Sequence, residues 1–456
     1  MLKTSMVAVV LLGVFSPVNV AWSQTLSYGP ILGRGQTPDK MVVKWGTGAA
    51  ADATSVSYRV KGTTAFTTVT GAASKDHELV LGGLGLDTQY DYYVQSGATK
   101  SATFGFATCP SASKPMDIVF YGDSRSGATE HQKIVNAVIA KAPEMVFESG
   151  DIYLTGAYSG YLSEFFPVAK DLVANVPFMA VPGNHDAGST LATNYGLVFP
   201  SARNTGDAWK SYYTFTCGNA AFIGLDSNSI TDPAQISFLT NQLSAAQADA
   251  NVVHIFIWFH HAPYSVGATH GDTGAVQTSW VPLFEATPKV TAVFSGHDHI
   301  YARMQHGASN IAYIVSGGAG ADLYGITGTS VATAHASSSS YNFVSIHVAG
   351  GVATATAYND TGTQLDSFTV TQNVPNTGGG SDGGTAGGGD DAGAGGGGSD
   401  AGAGGGGGGG GGNGEMPMNG SGGGCAMSGA GPASTSFAFA GLLFVAGLLR
   451  RRRRLR

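Results

Sequence analysis

VTAVFSGHDH (residues 290–299) is the last of five apolar runs in the chain that each end in a residue type able to bind a metal. The four earlier runs are MDIVFYGD (116–123), EMVFESGD (144–151), PFMAVPGNHD (177–186) and HIFIWFHH (254–261). Short apolar runs of this kind are typical of buried strands, and the loops that follow strands often carry a site on a rigid scaffold. Carboxylate, amide and imidazole donors at five strand ends therefore predict a two-metal hydrolytic site at one edge of a sheet.

The region around these runs, residues 115–372, alternates apolar strands with helical stretches. Helices are predicted at 128–142 and 233–249, and residues 341–359 predict a late β-rich portion that belongs to a second sheet. An alternation of this kind is typical of α/β proteins. We expect an α/β catalytic domain in which two packed mixed sheets are flanked by helices.

The preceding region, residues 25–108, has a different pattern. Its short alternating runs are broken by Gly, Thr and Asp and show no helical period, which predicts an all-β sandwich. Trp45 lies on an early strand, and Tyr90 occupies the position of a tyrosine corner. On these residues the region resembles a fibronectin type III domain.

Both ends of the chain resemble sorting segments. Residues 1–23 have the features of a secretory signal peptide, and an uncleaved membrane anchor is the alternative. Residues 376–424 are a Gly-rich linker for which we expect disorder. Residues 425–456 contain Cys425, a short apolar run and an arginine cluster, and they resemble the C-terminal sorting tails of myxobacterial surface proteins; an ordinary anchor is again the alternative. We therefore expect an exported protein, at the cell surface or outer membrane or extracellular, that associates with the membrane through its tail.

Charge and cysteine usage limit the possible partners. The formal net charge is −7 although six arginines lie in the last seven residues, so no basic surface for nucleic acid is expected. Of the three cysteines, Cys109 and Cys217 are candidates for a disulfide in an exported protein, and free buried thiols are the alternative. The pairing would leave Cys425 as the odd thiol.

The order of the metal-binding motifs resembles that of calcineurin-like metallophosphoesterases, and most closely their purple acid phosphatase branch. GNHD (183–186) and GHDH (296–299) carry this resemblance, and YIVSGGAGADLY (313–324) adds to it. It covers the catalytic domain and also the β-sandwich, which that branch often carries. The resemblance implies a surface-tethered phosphatase that hydrolyses small phosphate monoesters by attack of a metal-bridging hydroxide. It also implies two divalent or trivalent ions, with Fe, Zn or Mn as the candidates.

Carried over to this chain, the resemblance implies a set of metal ligands. Asp151 would bridge the two ions, since a carboxylate has two oxygens. The remaining ligands would be Asp123 and His299 for the first ion, and Asn184, His261 and His297 for the second. His261 is preferred over His260 because the family's ligand histidine precedes a proline by two residues, as His261 precedes Pro263.

Three residues are expected to contact the substrate. His185 and His270 would face the phosphate and the leaving group, where a protonated imidazole can donate a proton. Arg125 stands where the wider superfamily often has a histidine, and it would either clamp a phosphate oxygen or pair with a nearby carboxylate.

Two departures from the family pattern concern the metals. Leu154 occupies the position of the tyrosine that gives the purple branch its colour, and Tyr153 lies one residue earlier. We therefore expect an enzyme without that colour. His131, at the start of the next helix, is an alternative metal ligand.

The motifs leave other functions open. The same machinery would serve a phosphodiesterase or a nucleotide hydrolase, which differ only in the pocket around the leaving group. A non-catalytic surface-binding protein with a vestigial site is the third possibility. The natural substrate and the oligomeric state are not predicted.

Overall fold

The computed structural model describes residues 26–48, 52–188, 190–202 and 208–373. The predicted signal segment 1–23, the linker 376–424 and the tail 425–456 lie outside the described residues. Among the residues that the structure describes, no helix has the length and apolar character needed to cross a membrane.

The described part of residues 25–108 consists of strands in two antiparallel sheets. The strands are β1 (Leu26–Arg34), β2 (Met41–Thr47), β3 (Asp52–Val60), β4 (Thr67–Ser74), β5 (Asp76–Leu81), β6 (Gln89–Ser96), β7 (Thr99–Lys100) and β8 (Phe104–Ala107). One sheet has the order β1-β2-β5, and the other has the order β4-β3-β6-β7 with β8 paired to β6. Apolar side chains of both sheets share one buried cluster, so the two sheets pack against each other.

The two aromatic residues that the sequence singled out lie in this cluster. The hydroxyl of Tyr90 accepts a hydrogen bond from the backbone N–H of Gly85 (2.9 Å), which is a contact of the tyrosine-corner type. Trp45 is fully buried, and its indole N–H donates to Ser96 Oγ (3.0 Å). The contact around Tyr90 agrees with the fibronectin type III resemblance, which remains a prediction.

The second region contains two mixed sheets, as expected. Its strands are β9 (Met116–Tyr121), β10 (Met145–Glu148), β11 (Phe178–Ala180), β12 (Tyr213–Cys217), β13 (Ala220–Gly224), β14 (His254–His261), β15 (Val290–Gly296), β16 (Tyr301–Gln305), β17 (Ala312–Ser316), β18 (Thr333–Ser338), β19 (Asn342–Ala349), β20 (Val352–Asn359) and β21 (Gln364–Thr371). One sheet has the order β11-β10-β9-β19-β20-β21. The other has the order β12-β13-β14-β15-β17-β16-β18. The neighbours β9, β10 and β11 are parallel, and so are β13, β14, β15 and β17.

Helices cover the outer faces of both sheets. They are α1 (Ala128–Lys141), α2 (Tyr158–Gly160), α3 (Phe166–Val173), α4 (Tyr195–Val198), α5 (Pro233–Ala248), α6 (Gly274–Ser279) and α7 (Val281–Glu285), and a π-helical turn (Tyr161–Phe165) joins α2 to α3. Buried side chains of α1 and α3 pack on the first sheet. Those of α5, α6 and α7 pack on the second. The layers therefore follow the order helix, sheet, sheet, helix, and the predicted helices 128–142 and 233–249 correspond to α1 and α5.

Apolar side chains from both sheets form the core between them. Phe120 of β9 stacks on Phe147 of β10 at 4.3 Å and on Phe294 of β15 at 3.8 Å between ring centroids. Because aromatic rings bury a large apolar area, this stack holds the ends of the two sheets in a fixed relation.

A disulfide connects the β-sandwich to the catalytic domain. Cys109 follows β8, and Cys217 ends β12; the two are bonded, with 5.2 Å between their Cα atoms. The predicted pairing is confirmed. Two hydrogen bonds add to the contact, from Tyr92 to the carbonyl of Ala174 (2.7 Å) and from Lys44 to that of Gly196 (2.6 Å).

Candidate metal centre

The structure brings the predicted metal-binding residues together where the parallel strands of both sheets end. These residues are Asp123 after β9, Asp151 after β10, Asn184 after β11, His260 and His261 at the end of β14, and His297 and His299 after β15. The carboxyl ends of parallel strands meet at one edge, which explains why residues so far apart in sequence form one site.

The backbone at this edge is strained at three of the candidate ligands. Asp123, Asp151 and His297 have positive φ angles of 62°, 58° and 71°, a conformation that costs free energy for residues other than glycine. The loops also approach each other closely, because a Cβ on Gly183 would contact Asp151 Oδ1 and a Cβ on Gly296 would contact Asp123 Oδ2. The glycines that precede Asn184 and His297 therefore let the loops meet.

His260 presents an unprotonated nitrogen to the centre. Its Nδ1 lies 3.0 Å from the carbonyl oxygen of Ser149, which only accepts, so Nδ1 carries the proton. Burial and the neighbouring His261 lower the pKa of His260 well below its usual range, so the ring is neutral and Nε2 has a lone pair. That nitrogen lies 2.9 Å from Asn184 Oδ1, 3.1 Å from His297 Nδ1 and 3.4 Å from Asp151 Oδ1.

Asp123 and His299 form the other side of the centre. The Nε2 atom of His299 lies 3.4 Å from Asp123 Oδ1, a buried oxygen that has no hydrogen-bond partner among the described residues. His299 donates its Nδ1 proton to the carbonyl of Asp322 (2.6 Å), which directs Nε2 to Asp123. Burial raises the pKa of Asp123 to about 6 although His299 opposes the shift. Burial would lower the pKa of His299, but Asp123 outweighs it and the pKa is raised.

The donor set fits a metal centre. Asp123, Asp151 and His260 each offer a ligand atom, and these atoms all lie within 4.8 Å of one another. Buried carboxylates and lone pairs that face each other are unfavourable unless a cation lies between them. Histidines whose second nitrogen donates to a backbone carbonyl are typical metal ligands.

The position of His261 differs from the expectation. The structure places His260, and not His261, beside Asp151 and Asn184, whereas His261 Nδ1 lies 2.8 Å from Ser227 Oγ. The His261 ring also lies near the centre, 4.5 Å from that of His297 between centroids, but the contacts to Asp151 and Asn184 are those of His260. His260 is fully buried and His261 is not. The geometry therefore favours His260 over His261, which the proline spacing suggested.

Arg125 and His185 border the centre beside Asp151 Oδ2. Arg125 Nε lies 3.4 Å from Asp151 Oδ2, so the expected alternative of a carboxylate partner is the one observed. His185 donates its Nδ1 proton to the carbonyl of Leu154 (2.7 Å), and its Nε2 lies 3.8 Å from Asp151 Oδ2. The His185 side chain is 31% exposed, which leaves it accessible to a substrate.

His270 lies beside the proposed ligand His297. Its ring stacks on that of His297, with 3.7 Å between centroids and 23° between planes. Burial lowers the pKa of His270, and the charge of Asp298 opposes that shift. The ring is 5.6 Å from that of Tyr324, which also stacks on His299.

The remaining metal-ligand candidates lie away from the centre. Tyr153 packs against the apolar cluster beneath α3, with its ring 6.0 Å from that of Tyr161. Leu154 is 46% exposed. His131 is buried beside Phe165 and Tyr121, and burial lowers its pKa to about 3. Among the described residues, neither Tyr153 nor His131 belongs to the group of ligand atoms formed by Asp123, Asp151 and His260.

Sequence reasoning did not assign a role to Asp186 and Asp298, the last aspartate of GNHD and the aspartate of GHDH. Asp186 is buried and accepts hydrogen bonds from the backbone N–H groups of Asp151 (2.8 Å) and Gly183 (2.9 Å) and from the hydroxyl of Tyr161 (2.9 Å). Burial and the charge of Asp151 raise its pKa to about 7. The sequence did carry a signal for both residues, since each aspartate lies inside a motif that supplies metal ligands.

Comparisons with known proteins agree with this site. The model of the calcineurin-like phosphoesterase family matches residues 116–301. Purple acid phosphatase 22 of Arabidopsis thaliana is 24% identical over 248 residues, which are 52% of this chain and 56% of the relative. The chain thus spans about half the length of this relative.

Solved structures show the same fold. The purple acid phosphatase PPD1 from seeds of yellow lupin (Lupinus luteus) has a TM-score of 0.66 and 17% identity, and the match covers 75% of this chain and 74% of the lupin chain. PhoD has a TM-score of 0.55 and 14% identity over 75% of this chain and 92% of its own. The family match and the Arabidopsis relative indicate a metal-dependent phosphoric ester hydrolase, the enzyme class that the sequence predicts. Residues 116–301 are therefore similar to the calcineurin-like phosphoesterases.

Proposed function

We propose that the chain is a phosphatase that hydrolyses small phosphate monoesters at a centre of two metal ions. One observation carries the proposal: His260 Nε2, Asn184 Oδ1, His297 Nδ1 and Asp151 Oδ1, four atoms of metal-ligand type, converge at one place, and His260 donates its Nδ1 proton away from them to Ser149. Four such atoms in this arrangement fit the coordination of a cation.

The proposed ligands divide into two groups with Asp151 between them. Asp123 and His299 would hold one ion, and Asn184, His260 and His297 the other; Fe, Zn and Mn are the candidates. When bound, a pair of such ions supplies Lewis acidity, lowers the pKa of a nearby water and neutralises charge on phosphate oxygens. The protein supplies a rigid strand-end scaffold, in which Ser149 and Asp322 fix the orientation of two ligand imidazoles.

The substrate would bind between Arg125, His185 and His270. With a net charge of −7, the chain attracts no anion as a whole, so local cationic groups must bind the phosphate. Arg125 contributes a fixed charge, and its Nε contact with Asp151 leaves the terminal guanidinium nitrogens to bind a phosphate oxygen. A dianionic monoester gains more from that charge than a monoanionic diester does, which supports the monoester assignment.

His270 is the proposed proton donor to the leaving group. Its ring lies against His297 at the surface of the centre rather than within the ligand set. A protonated imidazole at this position would transfer its proton to the departing alkoxide. His185 would bind the phosphate through Nε2, since Nδ1 is engaged by Leu154.

We further infer that the enzyme is exported and tethered to the cell surface. The signal-like segment 1–23 and the sorting-like tail 425–456 support this. The Cys109–Cys217 disulfide also supports it, because disulfides persist in oxidising compartments. Cell fractionation with and without the tail would test the inference, and activity that stays in the cytoplasm would contradict it.

Adjacent histidines provide the sharpest test of the metal centre. Full-length protein, His260→Ala and His261→Ala are compared for bound Fe, Zn and Mn and for turnover of p-nitrophenyl phosphate and bis-p-nitrophenyl phosphate. We expect His260→Ala to lose bound metal and hydrolysis together, while His261→Ala keeps most of both. The wild type should prefer the monoester.

The opposite pattern would restore His261 as the ligand. Retention of full metal content by both variants would contradict the centre itself. A preference for the diester would identify a phosphodiesterase on the same site, and metal binding without hydrolysis of either ester would favour a surface-binding protein.

A further inference from the structure

The loop 265–271, which carries His270, is wrapped around the buried carboxylate of Asp298. Ser265 Oγ donates to Asp298 Oδ2 (2.6 Å), the backbone N–H of Gly271 donates to the same oxygen (2.9 Å), and that of His270 donates to Oδ1 (3.1 Å). Asp298 is 1% exposed. Three donors from one loop therefore converge on a single carboxylate, and one of them is the backbone of His270 itself.

Gly267 allows the loop to approach the carboxylate this closely. A Cβ at this position would contact Cγ and both carboxylate oxygens of Asp298. The backbone N–H of Gly267 donates to Ser265 Oγ (3.0 Å), so the same hydroxyl binds both the loop and the carboxylate. A larger residue at position 267 would push the loop and Asp298 apart.

Asp298 also belongs to the metal centre's own backbone. It lies between the proposed ligands His297 and His299, in a tight turn in which its N–H donates to Gly296 O (2.9 Å) and its carbonyl accepts from Ile300 N (2.7 Å). A displacement of the turn that carries His297 and His299 (the ligand loop) would therefore displace the carboxylate of Asp298. It would also displace the loop that carries His270.

We propose that Asp298 is a positioning residue that fixes the His270 imidazole over the metal centre, so that the loop 265–271 and the ligand loop keep one relative geometry. The inference deepens the proposed function, because it concerns the leaving-group step at the same site. Its chemical consequence follows from geometry: a proton donor displaced by about 1 Å loses on the order of 100-fold in rate.

Ser265→Ala is the main test, since it removes one of the three donors and leaves every proposed ligand in place. We expect kcat for an alkyl phosphate to fall on the order of 10- to 100-fold. The kcat for p-nitrophenyl phosphate, whose leaving group needs no proton, should fall much less. The KM and the metal content should change little. Equal losses on both substrates would overturn the proposal.

The double variant separates positioning from a general structural effect. In a His270→Ala background, Ser265→Ala should produce no further selective loss on the alkyl phosphate. Additive losses would show that the loop acts on catalysis by another route. Gly267→Ala should reproduce the Ser265→Ala pattern by steric displacement. Ser57→Ala, which removes a buried hydroxyl contact with Thr68 in the β-sandwich, is the matched control and should leave the substrate ratio unchanged.

Amide hydrogen exchange tests the contacts between the loop 265–271 and Asp298 without any assay of activity. In the metal-loaded wild type, the backbone N–H groups of His270 and Gly271 should be protected, and Ser265→Ala should accelerate their exchange. Unprotected amides in the wild type would overturn the inference. If the protein hydrolyses no phosphate ester, the proposed function fails, whereas protection at these two amides still decides whether Asp298 holds the loop.

Discussion

The buried His131 should make the free energy of unfolding depend on pH. Its side chain is 2% exposed and lies against Phe165 and Tyr121, and burial lowers its pKa from 6.5 to about 3. In the unfolded chain the imidazole takes up a proton below about pH 6.5, whereas in the folded protein it stays neutral. Its contribution to stability is therefore complete above pH 6.5 and is lost as the pH falls toward 3.

The size of the effect follows from linkage. Each pH unit below 6.5 lowers the stability by about 1.4 kcal/mol as long as the folded ring stays neutral. Between about pH 7.5 and pH 5 the loss amounts to about 2 kcal/mol. In this window the value hardly depends on the exact folded pKa, because the folded ring remains neutral throughout.

The His131→Phe variant isolates this contribution. Urea unfolding of wild type and variant is measured from about pH 7.5 to pH 5 with a chelator present, so that proton release by metal ligands does not contribute. We expect the variant to lose about 2 kcal/mol less than the wild type over this range. Equal pH slopes would refute the reasoning. A loss of bound metal from metal-loaded His131→Phe would show that His131 is a ligand after all.

Four further predictions concern the centre and its support. Asp151→Asn should lose metal and hydrolysis together, because an amide offers one oxygen where the carboxylate offers two; metal analysis that finds both ions retained would contradict this. Metal-loaded protein should show no visible tyrosinate–iron band, and a band that disappears in Tyr153→Phe would contradict the packing of that ring away from the centre. Reduction of the Cys109–Cys217 disulfide should lower the free energy of unfolding by about 2–4 kcal/mol, which equilibrium denaturation measures, and an unchanged midpoint would count against it. His270→Ala should slow alkyl phosphates about 10²–10⁴-fold and p-nitrophenyl phosphate far less, and equal losses would reassign His270 to phosphate binding.

The architecture was predictable because each of the five apolar runs ends in metal-binding residue types, a signal that is independent of the hydrophobicity of the run. A strand that is buried on both faces reads as a continuous apolar segment, and the five runs became β9, β10, β11, β14 and β15. The donor residues that follow them mark the edge at which the site forms. The short segment from α2 to α3, with its π-helical turn, had no such signal, and it was missed.

The choice between His260 and His261 shows where sequence reasoning reached its limit. Both residues end the same strand, and spacing to Pro263 favoured the second. The face on which a strand residue lies is set by the register of pairing, and a shift of one residue reverses it. The pairing of β14 with β15 is irregular between Trp258 and His261. Local sequence does not reveal that irregularity, so only the assembled sheet shows which imidazole faces Asp151.

The same centre is one at which a bound metal would stabilise the folded protein. Asp123, Asp151 and His297 hold strained backbone conformations, and Asp123 and Asp186 are buried carboxyl groups with raised pKa values. Each of these features costs stability in the metal-free chain. Backbone N–H donors to Asp186 offset part of that cost. Backbone carbonyls accept the Nδ1 protons of His260 and His299, which directs the Nε2 atoms of both rings to the centre. A bound cation would convert the remaining unfavourable repulsion into attraction, so that ligand binding and local folding are linked at this edge of the sheets.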